Sequence, residues 1–101
     1  MIVSRWQAPI VPDVDQIKLM FEAEGLVPFE EVIEPQQDIK DHRHPFDEVR
    51  MVAKGELHLN VAGNMLLLRP GDKIVIPSNT KHSKKVMAEI ACTCICAHRS
   101  F

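Results

Sequence analysis

The spacing of hydrophobic positions changes once along the chain, near Gly25. Before that point the segment PDVDQIKLMFEAEG carries apolar residues at the spacing of one helical face, namely Val14, Ile17 and Phe21. Asp13 is placed to cap such a helix, with Gln16 completing a capping box and Gly25 supplying the stop. The pattern therefore predicts one short helix near the start of the chain.

After Gly25 the apolar positions fall into short β-prone runs, separated by turn residues such as the Gly-Asn pair of VAGNM. The runs are LVPFEEVIEP, DEVRMVA, ELHLNVA, MLLLRP, KIVIP and EIACTCICA. In ELHLNV, the apolar Leu57, Leu59 and Val61 alternate with polar neighbours, so one strand face belongs to a core and the other is wetter or lines a cavity. These runs predict an all-β antiparallel sandwich or barrel, against which the helix packs.

Composition indicates a globular domain, and we expect no nucleic-acid partner for it. The 101 residues are 46% hydrophobic, enough for one domain that buries roughly two-thirds of its unfolded surface. Twelve basic and fourteen acidic residues give a formal net charge of -2, with no basic stripe to bind phosphates. Neither a secretory signal nor an apolar run of transmembrane length is visible, so we expect no membrane partner.

The three cysteines Cys92, Cys94 and Cys96 alternate along one predicted strand and share one face. Such close spacing does not suit disulfides, and an odd number of free thiols favours a reducing, cytoplasmic location. If this face is interior, the thiols could lie near a metal; if it is outward, they are small apolar filler. Cysteine more often behaves as a small buried hydrophobe, which favours packing.

The most informative stretch is HRHPFDEVRMVAKG, residues 42–55. His42, His44 and Glu48 are all even-numbered, so on one extended strand their side chains point the same way and three metal-competent groups converge. A fourth ligand is expected from a distant strand. His82, which follows the turn and short strand of RPGDKIVIPSNTKH, is the best candidate.

These residues resemble the two motifs of the cupin superfamily, commonly written G-x5-H-x-H-x(3,4)-E-x6-G and G-x5-P-x-G-x2-H-x3-N. His42, His44, Glu48 and Gly55 match the first motif, and Gln36 stands in place of its leading glycine. In the second motif the matches are Gly71, Pro77 and His82, whereas Asn79 replaces the middle glycine and Val86 the final asparagine. Asn79 is a tolerable replacement because asparagine visits positive φ more readily than most residues.

The resemblance implies a small single-domain metal-binding cupin: an antiparallel β-barrel or jelly roll with one short N-terminal helix. Residues 1–101 would form one domain, with an N-terminal strand and helix over about 1–25 and the barrel over about 26–98. One divalent metal ion would be held by His42, His44, Glu48 and His82. Imidazole-rich ligation suits Fe, Ni, Cu or Zn, and the carboxylate makes Mn an alternative. By the same analogy, we expect a homodimer.

Arg50 shares its parity with Glu48 and could point into the same cavity. There its guanidinium could bind a substrate carboxylate, or it could form a structural salt bridge; the sequence leaves both interpretations open.

Three functional hypotheses follow from the cupin resemblance. The first is a metal-dependent enzyme acting on a small oxygen-rich metabolite, with dioxygenase-like chemistry ahead of isomerisation or decarboxylation. The second is a non-catalytic metabolite-binding or sensor cupin, and the third is a structural protein with a vestigial site. The four intact ligand positions disfavour the third hypothesis. Fold alone does not choose between the first two.

Overall fold

The structure, a computed structural model, describes residues 1–100 and contains one helix and nine strands within that range. The elements are β1 (Ile2–Ser4), α1 (Val14–Ala23), β2 (Phe29–Ile33), β3 (Asp38–His42), β4 (Asp47–Lys54), β5 (Leu57–Val61), β6 (Asn64–Leu68), β7 (Lys73–Ile76), β8 (His82–Lys85) and β9 (Cys92–Arg99). The strands form two antiparallel sheets with the orders β1-β7-β4-β9-β2 and β3-β8-β5-β6. We call them the first and second sheet. The predicted all-β class with one short helix is confirmed.

Helix α1 forms as the sequence predicts. The Gln16 amide donates to Asp13 Oδ1 at 2.9 Å, and the Asp13 amide donates to Gln16 Oε1 at 2.9 Å, which completes the capping box. Ile17 and Phe21 are buried in a cluster with residues of β4 and β9, on the side of the first sheet that faces away from the second. The helix therefore covers the outer face of that sheet, leaving its inner face to the core.

Two strands, β3 and β8, were not anticipated from the sequence. Their sequences, DIKDH and HSKK, are polar and lack the apolar alternation that marks the other strands. The expectation of one extended strand from His42 to Glu48 is wrong, because β3 ends at His42 and β4 begins at Asp47 in the other sheet. Pro45, which has no backbone N–H to donate to a strand ladder, lies in the connection between the two strands.

The core lies between the two sheets and includes all three cysteines. Cys92, Cys94 and Cys96 are fully buried and pack with apolar residues of both sheets. They therefore face the interior, which is the first of the two orientations that the sequence left open. All three are free thiols. Burial raises the pKa of Cys96 to about 12, so this thiol is protonated at neutral pH. Cys96 belongs to the apolar core cluster and is also the strand partner of Arg50.

The N-terminal segment pairs with the first sheet and packs on it. Strand β1 pairs with β7, and Trp6 packs directly over Gly71, where an added Cβ would lie 2.5 Å from Trp6 Cβ. Gly71 also has φ +92°, a conformation that side chains disfavour. Among residues 1–100, no helix has the length and apolar character that crossing a membrane requires.

Candidate metal centre

Elements from both sheets bring the predicted ligand residues together. His42 ends β3 and His82 begins β8, and the two residues are direct partners in the second sheet. His44 lies in the connection to β4, and Glu48 is the second residue of β4 in the first sheet. The group thus forms where the chain crosses between sheets, not along one strand.

The three histidines lie close enough to share one ion. One ligand atom from each of His42, His44 and His82 lies within 4.8 Å of the others. Metal–nitrogen bonds of about 2.0–2.1 Å would draw these nitrogens somewhat closer together. Glu48 lies beside them, with Oε1 3.6 Å from His44 Nε2 and 4.0 Å from His82 Nε2.

Two of the imidazoles are held in the orientation that ligation requires. The Nδ1–H of His42 donates to the Lys40 carbonyl at 2.8 Å, and that of His82 donates to the Thr80 carbonyl at 2.8 Å. These bonds assign the tautomer and leave each Nε2 with a free lone pair. His82 Nε2 is buried and has no hydrogen-bond partner in the described part of the chain. A metal ion would satisfy this atom, so the residues present fit a divalent metal.

The charge states also suit metal binding. Burial lowers the pKa of His44 and of His82, which favours the neutral imidazole that coordinates. Burial alone would raise the pKa of Glu48, but the charges of Arg50 and Lys84 outweigh it and lower the pKa to about 2. At neutral pH His44 and His82 therefore present neutral nitrogens, and Glu48 presents an ionised carboxylate.

Arg50 is buried on β4, two residues after Glu48 and in contact with it. Its Nε lies 3.2 Å from Glu48 Oε2, and its Nη1 lies 2.9 Å from Glu31 Oε1. The salt bridge that the sequence left as one alternative is therefore present, with two carboxylates supplying the partners. The other alternative, binding of a substrate carboxylate, stays a prediction.

Sequence reasoning missed two further groups around the cluster. Phe46 stacks on His44 at 4.8 Å between ring centroids, and on its other neighbour His98 at 3.8 Å. Lys84 and Glu31 form an ion pair at 3.3 Å, and Glu31 also contacts Arg50, the partner of Glu48. Alternation from His82 along β8 would have placed Lys84 on the inner face, had that strand been recognised.

Both positions where glycine is replaced in the motifs have left-handed backbone conformations. Gln36 has φ +65° and Asn79 has φ +57°. The expectation that Asn79 tolerates positive φ is confirmed. The two turns thus keep the backbone geometry that glycine would supply.

The family is established by comparison with known proteins. A family model described as Cupin domain matches residues 29–98, which is more than half of the chain. The chain therefore belongs to the cupin superfamily. The matched span agrees closely with that of the two motifs and the strands around them.

Individual relatives agree with this assignment. The chain is 35% identical over 71 residues to acireductone dioxygenase from Hahella chejuensis (strain KCTC 2396); the match covers 60% of this chain and 38% of that protein. Among solved structures, the Schizosaccharomyces pombe Cnp3 cupin domain has a TM-score of 0.70 at 9% identity, covering 75% of this chain and 56% of that chain. FeII HppE in complex with substrate has a TM-score of 0.64 at 21% identity, covering 76% and 47%. These structural likenesses show the fold.

Proposed function

We propose that this protein is a metal-dependent cupin enzyme of the dioxygenase type, acting on a small oxygen-rich metabolite. The observations that carry the proposal are the convergence of three histidine ligand atoms within 4.8 Å and the buried, unpartnered Nε2 of His82. A structural cluster would satisfy that nitrogen with a hydrogen bond.

His42, His44, His82 and Glu48 would hold one divalent ion, which supplies a Lewis acid for substrate oxygens or, if redox-active, a centre for dioxygen chemistry. The two oxygens of Glu48 have different partners: Oε2 contacts Arg50, and Oε1 faces the imidazoles. Arg50 thereby orients the carboxylate. Among the described residues around the cluster, those to which we assign a role are the four that would hold the metal and the charged residues paired with them.

The dioxygenase subclass rests on the relative whose name carries that activity. The chain spans 38% of that relative's length. The second candidate is a metabolite-binding cupin without turnover, in which the same metal and Arg50 recognise a ligand.

One experiment separates the two functions. Metal-loaded protein is incubated in air with diols, flavonols, keto acids and sugar acids, and oxygen uptake, product masses and thermal shifts are recorded. The enzyme shows turnover that is lost in His82→Ala and kept in the control His58→Ala. Stabilisation by one compound without chemical change would support the binding protein instead, since a ligand of the folded state raises its stability.

A further inference from the structure

Glu31 lies between two buried cations, one of which, Arg50, also contacts Glu48 of the metal cluster. Its Oε1 is 2.9 Å from Arg50 Nη1 and 3.3 Å from Lys84 Nζ. Arg50 belongs to β4 of the first sheet and Lys84 to β8 of the second, so one carboxylate oxygen links cations from both sheets. A carboxylate of any other origin would find the same two partners there.

The three side chains differ sharply in their exposure. The side chains of Arg50 and Lys84 are 1% and 5% exposed, whereas that of Glu31 is 33% exposed. Glu31 is carried by β2, an edge strand of the first sheet. The two cations are therefore fixed in the interior, while the carboxylate between them reaches water and can leave without carrying a buried charge through the core.

The contact between Glu31 and Arg50 is close but poorly aligned. Both Glu31 Oε1 and Arg50 Nη1 are buried atoms without a hydrogen-bond partner among the described residues. Burying a charged donor without such a bond is costly, so this pairing is weaker than a well-aligned bidentate one. The interior cations thus hold a partner that a better-placed anion can replace.

We propose that Arg50 and Lys84 form an anion subsite beside the metal centre, and that Glu31 is an internal occupant which a ligand carboxylate displaces. The inference rests on the proposed function in taking the metal cluster as the neighbouring site. It adds the chemical class of the ligand: a small molecule with a carboxylate, whose other oxygens reach the metal. Arg50 keeps Glu48 Oε2 as a partner at 3.2 Å, so displacement of Glu31 leaves the pair of cations one negative charge short, and the incoming anion supplies it.

Binding of a simple carboxylate tests the subsite. Acetate and its neutral counterpart acetamide are titrated by NMR into wild type and Glu31→Gln, which removes the charge and keeps the shape. Removing the competing carboxylate tightens acetate binding about tenfold, as expected for losing a charged competitor from a buried site. Acetamide affinity stays unchanged.

The chain offers matched controls on both strands. Glu30→Gln removes the same charge at the exposed neighbouring position of β2 and leaves acetate affinity close to wild type. Adding Lys84→Met to Glu31→Gln abolishes the tenfold gain, whereas adding Lys85→Met, an exposed neighbour on β8, preserves it. Equal acetate affinity in Glu31→Gln and Glu30→Gln, or a gain that survives Lys84→Met, overturns the proposal.

Should Glu31→Gln not fold, Glu31→Asp takes its place, because the shorter side chain keeps the charge but withdraws its oxygens from the cations. It gives a smaller gain in the same direction, and no gain counts against the subsite. Every titration is run on protein as purified and after dialysis against a chelator. Metal content reports on the proposed function, while acetate affinity of the dialysed protein reports on the subsite alone.

Discussion

At the scale of single residues, Gln36 and Asn79 show how the chain departs from the cupin motifs without losing their geometry. Each stands where a motif has glycine, and each has positive φ. Asparagine adopts this region readily, whereas glutamine does so at a steric cost of roughly 1–2 kcal/mol. Gln36 is therefore a strained position.

This strain predicts that Gln36→Gly stabilises the protein. Relief of the steric cost exceeds the added flexibility of glycine, for a net gain of about 0.5–1 kcal/mol in the free energy of unfolding. Urea denaturation measures it. Gln36→Ala is the control, because it removes the exposed side chain but retains Cβ, and it gives no gain. Equal stability of the two variants would show that φ at this position carries no strain.

At the scale of elements, Asp72 joins the N-terminal segment to the turn between β6 and β7. Its carboxylate accepts hydrogen bonds from Arg5 Nη1 at 2.7 Å, the Trp6 amide at 3.1 Å and the Arg69 amide at 3.0 Å. Burial alone would raise the pKa of Asp72, but these three donors lower it below its usual value. The ionised form is therefore the one that stabilises the fold.

Asp72→Asn is expected to cost about 2 kcal/mol at pH 7, the order of a hydrogen-bond set to a charged group. Because the folded pKa lies below the unfolded one, this stabilisation is complete well above the unfolded pKa of about 4 and is lost as the pH falls through the folded value. Urea midpoints of both proteins from pH 7 to pH 3 should converge. Asp41→Asn, at an exposed ion pair with Lys81, changes little. A constant difference between wild type and Asp72→Asn would refute the link to ionisation.

The elements also show which parts of the fold the sequence could predict. Helix α1 and the apolar strands were predictable, because capping residues and alternation act locally. The polar strands β3 and β8 were not, since their inward positions carry His42, His82 and Lys84 rather than aliphatic residues. The residues that form the site are polar, so hydrophobic alternation does not reveal the two strands that carry them.

At the scale of the whole molecule, the candidate site exists because two sheets close around one interior. Motif spacing was enough to nominate His42, His44, Glu48 and His82, whereas the assumed single strand was wrong. Lys84 and Glu31 could not be nominated, because their proximity depends on how the sheets face each other. The expected homodimer and cytoplasmic location stay predictions; light scattering at several concentrations tests the first.

Metal content tests the central claim most directly. Wild-type protein should contain about one divalent ion per chain by plasma mass spectrometry, because three imidazole nitrogens and one carboxylate suit such an ion. The triple variant His42→Ala, His44→Ala and His82→Ala should lose nearly all of it, while His58→Ala retains it with the same purification. Full occupancy in the triple variant, or none in the wild type loaded with each candidate ion, would contradict the account.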